Sequence, residues 1–376
     1  MISNPLVYLF SLAFLATFFY LLESKFSWKI FKFIPSVVMI YAFSMALASM
    51  GIFEYNEEIN AIYKTTKTNL LPAMLFLMLL QVDLRHFLKL GRPLLISYVL
   101  AVASIAFAFI FISYLFDFCA TEASAFGALA GSWMGGTANM IAVGSALNVS
   151  HEAFGYALIV DSVNYTIWVM FLLFLVPFAS YFNKFTGSEK NKVHMGDIGC
   201  ACHMGAKRYW LLIFFALFAS MFSQVLSHNI TFLNQTTTIV IIASLLGVIG
   251  SFTALKTLNG SSEVATTMLY VIIALIGSKA VFESFESLGT YVLAGFLILL
   301  IHAIIMIIGA KIFKLDLFSV AVASLSNIGG IASAPILAAT YDKALVSVGV
   351  LMAIMGYIIG TFGGLAVGNI LIMLAK

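Results

Sequence analysis

Asp161 is the one carboxylate set deep inside an apolar stretch of this sequence, nine residues past Glu152. At 1.5 Å per residue that is ~14 Å of helix, near the middle of a bilayer. A charge at that depth costs several kcal/mol and is usually retained for function, as an ion ligand or a proton carrier. Ser162 follows it directly and Asn164 lies one turn on, so the three side chains could ligate Na⁺ or carry a coupling proton. The competing reading is a protonated carboxyl bonded to a neighbouring helix. His302 is equally deep, nine residues before Lys311. It either pairs with Asp161 or stays neutral and donates to a carbonyl of the next helix.

Two glycine pairs interrupt apolar stretches in a matching way. Ser132-Trp133-Met134-Gly135-Gly136-Thr137-Ala138 recurs as Ser326-Asn327-Ile328-Gly329-Gly330-Ile331-Ala332 at an offset of 194 residues. A helix broken at mid-membrane frees backbone groups that lipid cannot satisfy, so such a break lines a cavity, a helix or an ion. Half-helix N-termini there face anions and C-termini face cations. Gly135, Gly136, Asn139, Asn327, Gly329, Gly330 and Ser333, with His302, are the expected substrate cradle. Thr137 and Asn139 join Asp161, Ser162 and Asn164 as expected ion ligands. The alternative is that Gly-Gly only lets helices pack closely.

These residues need a membrane around them, and the composition requires one. Of 376 residues 62% are hydrophobic and 9% charged, with a mean hydropathy of +1.07, which no water-soluble globule could cover. The net charge of +3 sits in short loops, so it marks topology and not nucleic-acid binding. Apolar runs near the ~20 residues that cross a hydrocarbon core fall at 4–22, 34–51, 69–82, 93–116, 122–147, 152–180, 207–228, 236–255, 262–278, 289–312, 317–341 and 343–374. The first is read as a span and not as a signal peptide, since no basic residue precedes it and no cleavage site follows it. The fold class is therefore an all-α polytopic membrane protein of about 12 helices (11–13), placed in an inner cell membrane.

Basic residues favour the cytoplasmic side. Lys25, Lys29 and Lys32 place loop 23–33 inside, as Arg85, His86, Lys89 and Arg92 do for loop 83–92. Lys311 and Lys314 place loop 311–316 inside, whereas the matching first-half loop carries Asp117 and Glu122 and falls outside. The halves thus read as inverted repeats, 1–180 and 207–376, joined by a cytoplasmic linker over 181–206. Six crossings per half would make them parallel, so one crossing is miscounted; run 152–180 and the linker are the expected place. His194, Cys200, Cys202 and His203 in that linker match no zinc spacing. There is no His-Glu-x-x-His, no Gly-rich phosphate loop and no second mid-membrane aspartate, so no enzyme and no ATP-driven pump is expected.

Gly135-Gly136-Thr137-Ala138-Asn139 running into Asn148-Val149-Ser150 resembles the broken crossover helix of sodium-coupled bile acid symporters. Gln81-Val82-Asp83-Leu84-Arg85 after a short span also looks like that superfamily, which includes the cation/proton antiporters. Over most of its length the chain most resembles the bacterial domain-of-unknown-function family 819. The resemblance implies a core domain (93–180 and 289–374) moving as an elevator against a scaffold domain (1–82 and 207–278) through which the protein forms a homodimer. It places Asp161 where the antiporters hold an acidic pair, and Ser162 and Asn164 at sodium-ligating positions of the symporters. Serine replaces the second aspartate, so neither antiport nor bile acid transport carries over directly. The expected function is cation-coupled transport, by Na⁺ or H⁺, of a small solute such as a small organic anion, with no cofactor besides the coupling ion and the lipid bilayer as partner. A monovalent cation/proton antiporter is the alternative, and a channel or non-transporting sensor a further one.

Overall fold

The computed structural model describes residues 1–26, 36–80, 87, 90–188, 205–230, 234–258, 260–280, 288–342 and 345–375. The soft donors of the 181–206 linker and Gln81 to Arg85 lie outside the described residues. What is described is helical, apart from one isolated bridge between Ile2 and Phe53. The helices are α1 (Pro5–Phe26), α2 (Ser36–Ser49), α3 (Glu57–Leu79), α4 (Arg92–Phe116), α5 (Ala120–Gly135), α6 (Thr137–Ala146), α7 (His151–Leu175), α8 (Ala179–Thr186), α9 (Ala206–Ser227), α10 (Gln235–Ser251), α11 (Ser261–Gly277), α12 (Leu288–Phe313), α13 (Leu317–Ile328), α14 (Gly330–Tyr341) and α15 (Val346–Leu374).

Polar side chains start these helices at the ends of apolar runs. Asn56 accepts from the Ile59 N–H at 2.8 Å, Asn234 from Thr237 at 2.8 Å and Asp316 from Ser319 at 2.9 Å, each satisfying a donor that has no partner inside the helix. Among the described residues, six spans are long and apolar enough to cross a membrane: Pro5–Phe26, Arg92–Phe116, His151–Thr186, Ala206–Ser227, Leu288–Phe313 and Val346–Leu374. Their outer faces are apolar too; Leu6, Phe10, Phe14 and Phe18 of α1 and Trp210, Phe214 and Phe218 of α9 are all exposed. Such a surface is stable only against lipid, and the protein is a multi-pass membrane protein.

The chain divides into two compact units. The first holds 1–80, 148–163 and 204–291. Inside it, Gly277 brings α11 against the Tyr41 carbonyl of α2, and Gly247 brings α10 against Phe76 and Leu79 of α3; a Cβ at either glycine would come within 2.6 Å of these neighbours. The Tyr8 and Ser278 hydroxyls bond at 2.6 Å. The second unit holds 81–147, 164–203 and 292–376, and contains both glycine interruptions.

At those interruptions the fold departs from expectation. A helix that crossed through Gly135-Gly136 would carry residues 127 and 147 to opposite ends. Instead a Cβ on Gly127 would lie 2.8 Å from Leu147 Cδ1, and one on Gly131 would lie 2.8 Å from Val143 Cγ2 and 3.1 Å from the Asn139 carbonyl. Helices α5 and α6 therefore run antiparallel, as a hairpin that turns at Gly136 with φ +89°. The second interruption does the same. Phe318 near the start of α13 touches Tyr341 at the end of α14, ring centroids 5.3 Å apart, and the reversal takes place at Gly329 and Gly330, the latter at φ +59°. Runs 122–147 and 317–341 are thus re-entrant hairpins and not broken crossover helices. Each arm of the second hairpin is 12 residues, ~18 Å of helix and too short to span. Of the place expected for the miscount, run 152–180 is one continuous span, since α7 runs through a short turn at Pro177 into α8, while linker residues 189–204 lie outside the described residues.

Candidate functional site

The first hairpin tip is built on glycine. Gly127, Gly131 and Gly135 lie along one face of α5, opposite Gly368, Gly364 and Gly360 of α15, with Cα–Cβ approaches of 2.6–2.8 Å at each pair if a methyl were added. A Cβ on Gly135 would overlap the Gly356 carbonyl oxygen. This is the small-residue packing by which membrane helices approach without side chains between them. Gly135 is therefore a packing residue, while Gly136 has open space around its Cβ position and is needed for the turn itself.

Asn139 locks the tip. Its Nδ2 donates to the Gly135 carbonyl at 2.8 Å and to the Gly356 carbonyl at 3.2 Å, and its Oδ1 accepts from the Thr361 hydroxyl at 2.5 Å. The side chain is 1% exposed. In this state Asn139 clamps α5, α6 and α15 together. Thr137, the first residue of α6, is half-buried beside it.

The second tip meets the same helix. A Cβ at Gly356 would lie 3.0 Å from Gly135 Cα, 3.2 Å from the Met134 carbonyl oxygen and 3.6 Å from the Ser326 carbonyl oxygen. Both hairpins thus converge on Gly356. Around the second tip, Asn327 donates from Nδ2 to the Ala323 carbonyl at 2.8 Å. Its Oδ1, with Ser326 Oγ and Ser333 Oγ, is buried and has no hydrogen-bond partner among the described residues. Ser333 Oγ faces Gly329, against which the Tyr165 ring of α7 also packs, 2.6 Å from a Cβ built there. An orphaned buried oxygen costs about 1–3 kcal/mol, and three of them lie close together at this turn.

Asp161 is half-buried in α7, one turn before Tyr165 on the same helix; Ser162 is buried. These two belong to the first unit and Asn164 to the second, where its Nδ2 donates to the Val292 carbonyl at 3.3 Å.

His302 has a different setting from the pairing considered for it. Its Nδ1 lies 2.6 Å from Ser104 Oγ and its Nε2 2.8 Å from Ser324 Oγ, and Trp168 Nε1 donates to Ser324 Oγ at 2.9 Å. Ser104 Oγ also donates to the Ala101 carbonyl. Indole only donates and each hydroxyl has one proton, so with a neutral imidazole in this fully buried position the order follows. Trp168 donates to Ser324, Ser324 to His302 Nε2, His302 Nδ1–H to Ser104, and Ser104 to Ala101. Both ring nitrogens are occupied, which leaves neither for Asp161. The histidine is a neutral, buried strut joining α4, α7, α12 and α13, and the structure places it in this network and not in the cradle.

The sequence reading missed Gly356, Thr361, Ser324, Trp168 and Tyr165. A signal for the first two was present, since Gly356, Gly360, Gly364 and Gly368 repeat every four residues with Thr361 among them. The serine and tryptophan partners carry no such mark.

Among known proteins, the chain is 22% identical over 375 residues to the uncharacterized membrane protein YjcL of Bacillus subtilis (strain 168), covering 93% of this chain and 92% of that one. A family profile described as protein of unknown function, DUF819, matches residues 10–374. The chain therefore belongs to the DUF819 family of membrane proteins.

Proposed function

We propose that this protein is a secondary active transporter that moves a small solute across the membrane with a coupling cation, Na⁺ or H⁺. The observation that carries the reading is the convergence of two re-entrant hairpin tips on Gly356, with Ser326 Oγ, Asn327 Oδ1 and Ser333 Oγ left without partners. Non-helical backbone at membrane depth is tolerated where it lines a cavity or a bound ligand, and paired discontinuous elements are where transporters of this kind hold substrate and ion. Asp161, with Ser162 and Asn164, is proposed to supply the coupling site.

Two hairpins in place of two of the twelve apolar runs would leave ten helices to span on this reading, five in each half. An odd number per half inverts the second relative to the first. Counted along the sequence, it also leaves the basic positions Lys25, Lys184, Lys207, Lys311 and Lys314 in loops of one parity, which agrees with the positive-inside rule. Since both hairpins lie in one unit, an alternating-access motion in which that unit travels as a body is the mode this reading favours. Kinship to the cation/proton antiporter and bile acid symporter superfamily, an inner-membrane location and a homodimer belong to the same proposal.

The test is thermal stability of the purified protein across Na⁺, K⁺ and pH. A ligand that binds the folded state alone raises the melting temperature saturably. A Na⁺ or proton response that is lost in Asp161→Asn and weakened in Asn327→Ala supports the reading. An unchanged response in both variants, or none in the wild type, sinks it.

A further inference from the structure

The first unit holds a second gathering of charge, built where α3 is still polar. Lys279, just past the end of α11, sets its Nζ 3.9 Å from the centroid of the Tyr55 ring and 5.4 Å from that of Tyr63, and donates to Asn60 Oδ1. Tyr63 Oη lies 3.3 Å from His151 Nε2, with the two rings edge-on at 5.7 Å. Lys67 sits one turn beyond Tyr63 and so on the same face of α3; its charge and that of Lys279 both act on His151. Two ammonium groups and an imidazole from three segments thus lie within electrostatic reach of one another, with Tyr63 between Lys279 and His151.

Among the described residues, Lys279 meets neutral groups, Asn60 and the Tyr55 and Tyr63 rings. Burial pushes both Lys67 and Lys279 below the ordinary lysine value. Glu152, the nearest acid in sequence to His151, accepts from the Tyr156 hydroxyl at 3.3 Å. His151 is also the first residue of α7, where backbone N–H groups and the positive end of the helix dipole are presented. Its carbonyl is fixed by the Tyr41 hydroxyl at 2.5 Å. Like charges half-removed from water, with a helix N-terminus beside them, raise the energy of the folded state until a counter-charge arrives.

We propose that Lys67, Lys279 and His151 form a binding site for an anionic group, a carboxylate or phosphate, carried by a free solute or by a lipid headgroup. The lysines neutralise the anion, and charge-assisted hydrogen bonds hold its oxygens, with the rings of Tyr55 and Tyr63 beside Lys279. The site stands independently of the transport function proposed above.

The test titrates inorganic phosphate and acetate against the purified full chain in neutral detergent at constant ionic strength, reading melting temperature and calorimetric Kd. In parallel, the protein in nanodiscs of phosphatidylcholine is compared with discs containing phosphatidylglycerol. A saturable rise is expected, with Kd about tenfold weaker in Lys67→Gln and Lys279→Gln and nearly kept in Lys279→Arg. Without anion, both glutamine variants are expected to melt no lower than the wild type, which separates a lost site from a damaged fold. A response to phosphatidylglycerol but not to free phosphate or acetate would assign the headgroup as the source; the converse would assign a solute. No saturable response to any of them, or a response of wild-type size in both glutamine variants, overturns the proposal.

Discussion

Phe318 and Tyr341, near the start of α13 and at the end of α14, meet edge-on with ring centroids 5.3 Å apart. A chain that crossed the membrane between them would hold them at opposite surfaces. Their contact means that residues 316 and 342 emerge on one face, just as the Gly127 approach to Leu147 returns residues 117 and 148 to a common face. Thiol labelling of intact cells and inverted vesicles checks this. Exposed Cys119 and a cysteine at Asn148 should label from one side, and cysteines at Lys314 and Asp342 from the other. Opposite labelling of Cys119 and the position-148 variant would refute the first hairpin.

The two glycines of the first tip should fail differently. Gly135→Ala drives a methyl into the Gly356 carbonyl, and α15 must move away along a glycine seam that has no slack. Gly136→Ala meets no atom and bears only the strain of φ +89° with ψ 171°, roughly 1–3 kcal/mol. Thermal unfolding in detergent should therefore rank Gly135→Ala well below Gly136→Ala. The reverse order would mean that the tip is held by its turn and not by its packing.

Both glycine pairs were legible as interruptions, because paired glycine inside a long apolar run has few other uses. Whether the chain bends or reverses there was not legible, since reversal is decided by contacts such as Leu147 on Gly127 and Tyr341 on Phe318 that no local pattern encodes. Asp161 announced itself by depth alone. His302 was equally visible, but its role depends on Ser104, Ser324 and Trp168, which come from three other helices and look ordinary in sequence.

Asn139 makes three hydrogen bonds that hold three helices, and its side chain is buried away from bulk solvent. Asn139→Ala should destabilise the purified protein by about 2 kcal/mol. Asn139→Asp should do worse, since a carboxylate oxygen would face the Gly135 and Gly356 carbonyls that now receive N–H groups. If the aspartate variant equals the wild type in thermal unfolding, those two bonds are not made.

The histidine strut predicts an asymmetry between its two serines. Ser324→Ala strands both the Trp168 N–H and His302 Nε2, costing about 1–3 kcal/mol. Ser104→Ala strands only the His302 N–H, because the Ala101 carbonyl keeps its helical partner. Chemical denaturation of the two variants should show Ser324→Ala as the less stable. Equal losses would contradict the donor order assigned to the network.

The glycine seam between α5 and α15 also constrains how the protein is made. The Thr361 hydroxyl that satisfies Asn139 lies 222 residues later in the chain, so the first hairpin is synthesised long before the helix that completes it. Throughout that interval a half-depth reversal with a buried amide has neither its hydrogen-bond partners nor its flat glycine wall. The insertion machinery must shelter it, or the nascent segment must rest at the membrane surface and enter only when α15 arrives. Assembly of the second unit is then a late event in biogenesis, gated by its C-terminal helix.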